Sequence, residues 1–370
     1  MSSQFERYFL PGLAFKAVVI GGGYATGREL AEFFLPSGPW GGITAMVLAM
    51  LIWSGVCTAT FLFARSSGAR DYLTFVRALL GPAWVVFEAA YLLFVVLILA
   101  VFGAAAGAIG QATLGLPTIA GTLLLMVAIA LVTAYGNPSV ERLFTYVSFL
   151  LYGVYALFVL LSLARFGARI EHGFVGAGGG LGEGWLAGGV TYASYNIVGA
   201  ITILPVLRHL TSDRDAVTAG LIAGPLAMLP ALMFFTCMIA YYPEITQATL
   251  PSDFLLQRLD LPVFRYLFQL MIFAALLESG TGSVHSVNER IGTAWRRRRH
   301  TELSRAARLA IALVLLAACM LLAEHFGLVA LIARGYRLLA WVFLLVYVLP
   351  LLTIGIFRLV SRRSQSQGVA

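Results

Sequence analysis

The sequence predicts an all-α polytopic membrane protein with ten transmembrane helices, arranged as two inverted repeats of five. Of its 370 residues, 60% are hydrophobic and only 11% are charged, whereas an ordinary soluble domain has about 25% charged residues. Apolar runs long enough to cross a bilayer, about 20 residues each, recur along almost the whole chain. The first and sixth of these runs are interrupted by glycine and polar residues at corresponding places.

The apolar segments follow one another with short connections and leave no room for a soluble catalytic domain. One integral membrane domain therefore comprises residues 1–370. Its first repeat runs from about 11 to 166, its second from about 183 to 358, and 359–370 form a short cytoplasmic tail. The predicted spans are 12–35, 41–64, 83–112, 118–135, 141–165, 184–207, 215–242, 264–288, 304–324 and 327–357.

Arginine residues are unevenly distributed between the two sides of this domain. With a cytoplasmic N-terminus, seventeen arginines lie in inner loops and tails and four lie in outer loops. Positively charged loops stay on the side of synthesis, so we expect both termini to be cytoplasmic. The run Arg296–Arg299 is the strongest anchor, and we interpret it as a topogenic loop in preference to a lipid-specific or regulatory site.

The first span is broken in its middle by a run of glycine and polar residues. Glycine is unfavourable in a helix, and backbone groups freed within a membrane need partners in a cavity. Unwound carbonyls can bind a cation, and the positive end of the outer half-helix, near Thr26, can bind a carboxylate. The break therefore predicts a binding site, although glycines also permit close helix packing. The substrate-binding candidates here are Gly21, Gly22, Gly23, Tyr24, Ala25, Thr26 and Gly27.

The sixth span carries a similar break, which begins at Gly188-Gly189 and continues through polar residues near mid-membrane. With five spans per half, two matched breaks indicate two halves inserted in opposite orientations, as in many secondary transporters. Hydroxyl, amide and aromatic groups at this depth can contact a ligand, while tyrosines otherwise pack between helices. The candidates here are Tyr192, Ser194, Tyr195 and Asn196.

The segment Gly21–Glu29, together with Glu278-Ser279-Gly280-Thr281-Gly282 and Asn288-Glu289-Arg290, resembles the YkvI family of bacterial membrane proteins. The first-helix pattern is similar to GAGFATG-x-E, with Gly22-Gly23-Tyr24 where that family favours Ala-Gly-Phe. The family resembles the amino acid-polyamine-organocation transporters of LeuT-type fold, and the resemblance covers essentially all ten spans. It implies a protein of the bacterial cytoplasmic (inner) membrane in which spans 1, 2, 6 and 7 rock against spans 3, 4, 8 and 9.

Four basic and four acidic residues lie within the predicted spans, where each charge must pair or face water. Lys16, the only lysine, and Glu88 lie at comparable depths near the inner side. We expect them to be in contact at an inner gate. The alternative is that both side chains extend to the cytoplasmic interface.

A second group of charges lies near the outer side. Arg28, Glu29 and Glu32 follow the break in span 1, and Arg334 and Arg337 begin span 10. The resemblance to LeuT-type transporters implies that these two helices flank the outer entrance, so we expect an ion-pair gate there. The alternative is that both span 10 arginines belong to a partly exposed lead-in.

Glu278 lies near the middle of span 8. A carboxylate at this depth without a fixed counter-charge can take up and release a proton, while the alternative is a structural glutamate bonded to the helix backbone. The resemblance implies that hydroxyl groups of this span and carbonyls of span 1 hold a sodium ion. The candidates for cation or proton coupling are Gly21, Gly22, Glu278, Ser279, Thr281 and Ser283.

The sequence lacks the motifs of several other function classes. No glycine loop followed by Lys-Ser or Lys-Thr indicates nucleotide binding, and no His-Glu-x-x-His pair indicates a metalloprotease. The basic residues fit loop retention better than nucleic-acid binding. We therefore expect no enzyme, no nucleic-acid partner, and no cofactor or metal beyond a sodium ion.

These observations predict a secondary active transporter of a small organic solute, an amino acid or related zwitterion, coupled to sodium or protons by alternating access. Its partners are the solute and the lipid bilayer. The alternative is a non-transporting membrane sensor or receptor subunit that keeps the ligand pocket. A cation channel ranks last, because nothing indicates a symmetric pore.

Overall fold

All regular structure in the described part of the chain is helical, as the sequence predicts. The computed structural model describes residues 3–135 and 138–367, with side chains omitted at 22, 135–150, 297 and 362–367. Two apolar helices, Leu10–Val19 and Thr118–Ala134, are shorter than a full continuous span. Six helical stretches are long and apolar enough to cross a membrane, namely Arg28–Ser67, Tyr72–Leu114, Leu151–Gly176, Asp213–Ile239, Pro262–Arg296 and Arg305–Ser361.

The first half of the chain forms spans 1 to 5. Span 1 is divided into three short helices, α2 to α4, and spans 2, 3, 4 and 5 are α5, α7, α8 and α9. The helices are α1 (Gln4–Tyr8), α2 (Leu10–Val19), α3 (Gly22–Ala25), α4 (Arg28–Phe33), α5 (Gly38–Ser67), α6 (Tyr72–Leu80), α7 (Trp84–Leu114), α8 (Thr118–Tyr135) and α9 (Pro138–Gly176).

The second half repeats this plan. Span 6 is divided into α10 and α11, spans 7, 8 and 9 are α12, α14 and α15, and span 10 runs through α16 into α17 with π-helical turns between them. The helices are α10 (Trp185–Asn196), α11 (Gly199–Thr202), α12 (Asp213–Ile239), α13 (Pro251–Leu259), α14 (Pro262–Arg299), α15 (Arg305–Ala330), α16 (Arg337–Phe343) and α17 (Ile356–Gln367). The ten predicted spans and the interruptions in the first and sixth are therefore confirmed.

Several boundaries differ from the prediction. The helix of span 8 continues to Arg299, beyond the predicted end at 288, because its polar continuation keeps helix-forming residues. The connections hold two helices that hydropathy does not predict, α6 and α13. The turn between spans 9 and 10 lies at Gly327, whose φ of +70° and ψ of 170° are non-helical.

The helices pack as two groups. The first helix group contains α2, α5, α10 and α12, and the second contains α7, α8, α14 and α15. Within the first group, the Trp53 indole donates to the Ala193 carbonyl at 3.0 Å and the Ser54 hydroxyl donates to the Leu221 carbonyl at 2.9 Å. These bonds fix α5 against both α10 and α12 within the first group.

Both described ends of the chain lie on one face of the helix bundle, here called the terminal face. Arg7 of α1 reaches Asp215 at the start of α12, and Arg65 at the end of α5 pairs with Asp213. Arg358 of α17 donates to the carbonyl of Ala78 in α6, which follows α5. The opposite face carries α13 and the connection between spans 7 and 8.

Candidate functional site

The interruption in span 1 has the position that the sequence predicts. Helix α2 ends at Val19, and α4 begins after Gly27, whose φ of +78° is left-handed and which a side chain would strain. Between them, the Thr26 hydroxyl donates to the Gly23 carbonyl at 3.0 Å and accepts the N–H of Arg28 at 3.4 Å. The backbone of the break is thus held partly by its own side chain.

The interruption in span 6 lies further along the chain than predicted. Residues 188–196 belong to the regular helix α10, and the break falls at Ile197 and Val198. Gly188 and Gly189 serve close packing instead, because a Cβ at either position would overlap the carbonyl of Phe33 or Ala45. A glycine pair can interrupt a helix or allow another helix to pack closely, and the sequence alone does not distinguish these two roles.

A hydrogen bond between side chains joins the two interrupted helices. The Tyr195 hydroxyl donates to Oε2 of Glu29 at 2.5 Å, and both residues are buried, with 1% and 3% of their surface exposed. A Cβ on Gly23 would lie 2.8 Å from Cγ of Glu29, so the carboxyl group occupies the space that the glycine leaves.

A central cavity of about 340 Å³ lies where these helices meet spans 3, 8 and 10. The ring of Tyr336 from span 10 lies 4.5 Å from that of Tyr195, between ring centroids. Of the described residues that line the cavity, Glu29 alone carries a charge. The predicted site residues brought together here are Gly21, Glu29, Tyr195, Asn196, Ser279 and Ser283.

Other predicted ligand contacts point elsewhere. Tyr24 and Tyr192 are fully buried, and their hydroxyls have no hydrogen-bond partner among the described residues. Ser194 donates to the carbonyl of Val190 at 2.6 Å and lines a separate apolar groove beside α5 and span 10. These three residues lie outside the described lining of the central cavity.

The central cavity continues toward the terminal face. It shares Tyr91, Val198, Thr202 and Ser286 with a second cavity of about 250 Å³, here called the terminal-face cavity. This cavity lies among the ends of spans 3, 6 and 8 beside α6. The shared walls indicate a route from the central cavity to the terminal face.

The opposite face is closed over the break by charged and polar contacts. Arg28 is 5% exposed, pairs with Glu32 at 2.9 Å, and donates to the carbonyls of Thr246 and Ala248 at 2.9 Å each. Arg337 lies 3.9 Å from Glu32. The structure therefore brings these three charged residues together on this face.

Two members of the expected outer cluster are placed differently. Glu29 turns away from Arg28 into the central cavity, because successive residues of a helix do not share a face. Arg334 is exposed and forms no ion pair with any described residue.

The segment that closes the opposite face is anchored to the second helix group. This cover segment, residues 244–259, contains Asp253, which pairs with Arg265 at 2.7 Å and accepts a bond from Gln269 at 3.0 Å. Arg265 also donates to the Ala112 carbonyl at 2.7 Å. Sequence reasoning missed this network because it lies in a connection, in a short helix of mixed polar and apolar residues that hydropathy does not single out.

The expected contact between Lys16 and Glu88 is wrong. Glu88 pairs instead with Arg290, whose Nη1 lies 2.9 Å from both carboxylate oxygens, and the rings of Tyr72 and Tyr91 each lie 3.6 Å from the Arg290 guanidinium carbon. Lys16 lies over the ring of Tyr152, with Nζ 4.0 Å from its centroid. Glu88 pairs with Arg290 because a guanidinium group that contacts both carboxylate oxygens and packs between two rings binds the carboxylate more strongly than a single ammonium group would.

Glu278 lines a smaller side cavity of about 90 Å³ between spans 1, 5 and 8. Gly21 and Ser279 line both this side cavity and the central cavity. The Thr281 and Ser283 hydroxyls donate to the carbonyls of Leu277 and Ser279 in their own helix. Oxygen donors of this kind suit hard cations such as sodium, and the described residues hold no group of three or more histidine, cysteine and acidic side chains.

The interrupted helices, the shared cavity and the two helix groups define a membrane protein of LeuT-type fold. Solved structures with this architecture cover nearly the whole chain. MhsT in complex with L-phenylalanine matches with a TM-score of 0.60 at 16% identity, over 97% of each chain. A Na⁺-coupled sialic acid symporter matches with a TM-score of 0.64 at 16% identity, over 91% of this chain and 78% of that one.

A manganese transporter from Eremococcus coleocola matches with a TM-score of 0.52 at 16% identity, over 92% of this chain and 77% of that one. At this identity the similarities show the fold alone. The sequence matches no protein-family model and no curated protein, so the resemblance to the YkvI family stays a prediction.

Proposed function

We propose that this chain is a secondary active transporter that moves a small organic solute, an amino acid or related zwitterion, by alternating access. The central cavity supports this proposal, because both interrupted helices form it, the terminal face has a route to it, and the opposite face is closed. Transport requires such one-sided access to alternate. L-phenylalanine, which the MhsT structure contains, is a solute of the proposed kind, whereas the sialic acid of the other symporter is a small organic solute without an ammonium group.

In this proposal the terminal face is cytoplasmic and the chain lies in a bacterial inner membrane, as the arginine distribution and the family resemblance indicate. The described conformation is then inward-facing. Outward opening separates Arg28 from the cover segment, whose anchor Asp253 stays with the second helix group. Arg28, Glu32 and Arg337 act as the outer gate.

Coupling to sodium or to protons is assigned to the side cavity. Glu278 and Ser279 line it from span 8, and Gly21 lines it from the break in span 1. A cation there draws the two helix groups together, because span 1 belongs to the first group and span 8 to the second. Its occupancy therefore changes when the groups rock.

Reconstitution into proteoliposomes tests the proposal. Radiolabelled amino acids are offered under an inward sodium gradient, an inward proton gradient, and neither. We expect saturable uptake that needs one of the gradients, and none into protein-free liposomes. Leu124→Ala, on a lipid-exposed surface of α8, serves as the control variant and keeps this uptake.

A sensor or receptor subunit is the second candidate, and the length of α14 favours it. This helix continues past the membrane-spanning part as an exposed segment that ends at Arg299, a surface suited to a partner protein. Thermal stabilisation by a solute without uptake under any gradient supports the sensor and contradicts the transporter.

A further inference from the structure

The central cavity contains one charge and several aromatic rings. Glu29 is the only charged residue in its described lining, and no basic side chain lies there to bind an anion. A cavity of about 340 Å³ lies within the size range of small-molecule sites, roughly 300–1,000 Å³. Its aromatic residues are Tyr91, Phe94, Phe102, Tyr195 and Tyr336.

The described part of the chain supplies no cation to Glu29. No described ion pair includes it, and Arg28, its neighbour in sequence, is engaged by Glu32 and the carbonyls of the cover segment. The hydrogen-bond partner described for Glu29 is the Tyr195 hydroxyl. A carboxylate buried in a membrane protein is costly unless a positive charge compensates it.

The carboxyl group of Glu29 lies against the break in span 1. A Cβ on Gly23 would lie 2.8 Å from Cγ of Glu29, so the carboxyl group fills the space beside the broken backbone. At the start of the outer half-helix, where the sequence suggests a site for a ligand's carboxylate, the Thr26 hydroxyl caps the N–H of Arg28. A cationic group is therefore the partner that the described lining lacks.

We propose that the central cavity binds an organic ammonium group, with Glu29 as its counter-ion, and that the ligand's carboxylate is dispensable for binding. This inference rests on the proposed function, since it names the chemical class of the same solute. The aromatic rings add cation–π attraction, which strengthens when the cation is desolvated. A bare metal ion leaves these rings and most of the volume unused.

Binding to purified protein in nanodiscs tests the proposal without any gradient. The probes are matched by skeleton: phenethylamine, L-phenylalanine and 3-phenylpropionate form one set, and 3-methylbutylamine, L-leucine and 4-methylpentanoate form another. We expect amines to raise the unfolding temperature in at least one set, and the two acids that lack an amine to leave it unchanged. Stabilisation by either of those acids, or by none of the amines, overturns the proposal.

Substitutions then assign the effect to Glu29. Glu29→Gln is expected to weaken amine binding by about thirtyfold, the lower end for removing one partner of a buried charge pair, while Glu29→Asp retains part of it. Glu324→Gln, which removes an exposed carboxylate of α15, is the control and keeps wild-type affinity. If Glu29→Gln does not fold, Tyr195→Phe replaces it, because this variant keeps the carboxylate of Glu29. The affinities of Tyr195→Phe for the amines and for the acids are then compared, and a loss of the preference for amines overturns the proposal.

The two proposals fail in different ways. Amine binding without gradient-driven uptake contradicts the transporter and leaves the ammonium site standing. Gradient-driven uptake of a carboxylic acid without an amino group, with no amine binding, contradicts the ammonium site and leaves the transporter standing.

Discussion

Tyr195 donates its hydroxyl hydrogen to Glu29 across 2.5 Å, and this bond connects the interrupted helices of the two repeats. Glu29 lies just after the break in span 1, and Tyr195 lies just before the break in span 6. The same carboxyl group faces the central cavity. A ligand that binds Glu29 therefore acts on both interrupted helices at once.

Tyr195→Phe removes this donor and leaves a buried carboxylate with fewer partners. We expect the free energy of unfolding to fall by about 1–3 kcal/mol, the cost of an unsatisfied buried group. Thermal unfolding in nanodiscs measures it. Tyr266→Phe, at a half-exposed tyrosine of α14, is the matched control and is expected to change stability by less than about 0.5 kcal/mol. Equal effects of the two variants contradict the role of the bond.

Gly23→Ala places a methyl group where the carboxyl group of Glu29 lies, since a Cβ there is only 2.8 Å from Cγ and 2.9 Å from Cδ. We expect Glu29 to be displaced and ligand-induced stabilisation to be lost. Gly153→Ala is the comparison, because a Cβ at this exposed position of α9 meets nothing within 4 Å. The prediction is wrong if Gly153→Ala impairs binding as much as Gly23→Ala does.

Arg28→Ala is expected to open the face opposite the termini, because Arg28 links α4 to the cover segment through two carbonyls. A cysteine introduced at Ser283, in the cavity wall, reports access to a membrane-impermeant maleimide; Cys57, Cys237 and Cys319 are buried. Labelling of position 283 from the opposite face should rise several-fold in Arg28→Ala. Arg169→Ala, at an exposed arginine of α9 outside the cover segment, should leave it low. Unchanged labelling in Arg28→Ala excludes Arg28 as a gate.

Glu278→Gln removes the only carboxylate of the side cavity's described lining. We expect uptake to fall by about tenfold or more, as for the loss of one coupling contact of about 1.4 kcal/mol, and to lose its response to the coupling gradient. Uptake is measured at two pH values, each with and without sodium. Glu324→Gln, at an exposed residue of α15, is the control. If uptake by Glu278→Gln depends on pH and on sodium as uptake by the wild type does, Glu278 has no role in coupling.

Local sequence patterns were sufficient where the determining interactions are local. The glycine run weakens the helix of span 1 by itself, so its break was predictable, and Arg28 and Glu32 are one helical turn apart. The break in span 6 was misplaced because Gly188 and Gly189 meet the backbones of other helices. Only tertiary packing decides between a glycine that breaks a helix and one that allows contact.

Ion pairs between distant segments could not be predicted from the sequence, because tertiary packing decides which side chains meet. Glu88 and Arg290 are 202 positions apart, and Arg290 looked like one of many topogenic arginines. The side of a helix on which Glu29 lies follows from the geometry of α4, which begins only after the left-handed Gly27. The same residue thus changes from a predicted gate to a lining residue of the central cavity.

Arg290→Gln distinguishes a structural ion pair from a gate. Glu88 and Arg290 belong to α7 and α14, both in the second helix group, so rocking of the groups leaves their distance unchanged. We therefore expect the free energy of unfolding to fall by about 1–3 kcal/mol, less than for a fully buried pair because both side chains are partly exposed. Maleimide access to a cysteine at position 283 should stay as in the wild type from both faces, in contrast to Arg28→Ala. If maleimide access to position 283 changes while stability falls little, the pair of Glu88 and Arg290 is part of a gate. In that case α7 and α14 do not move as one body.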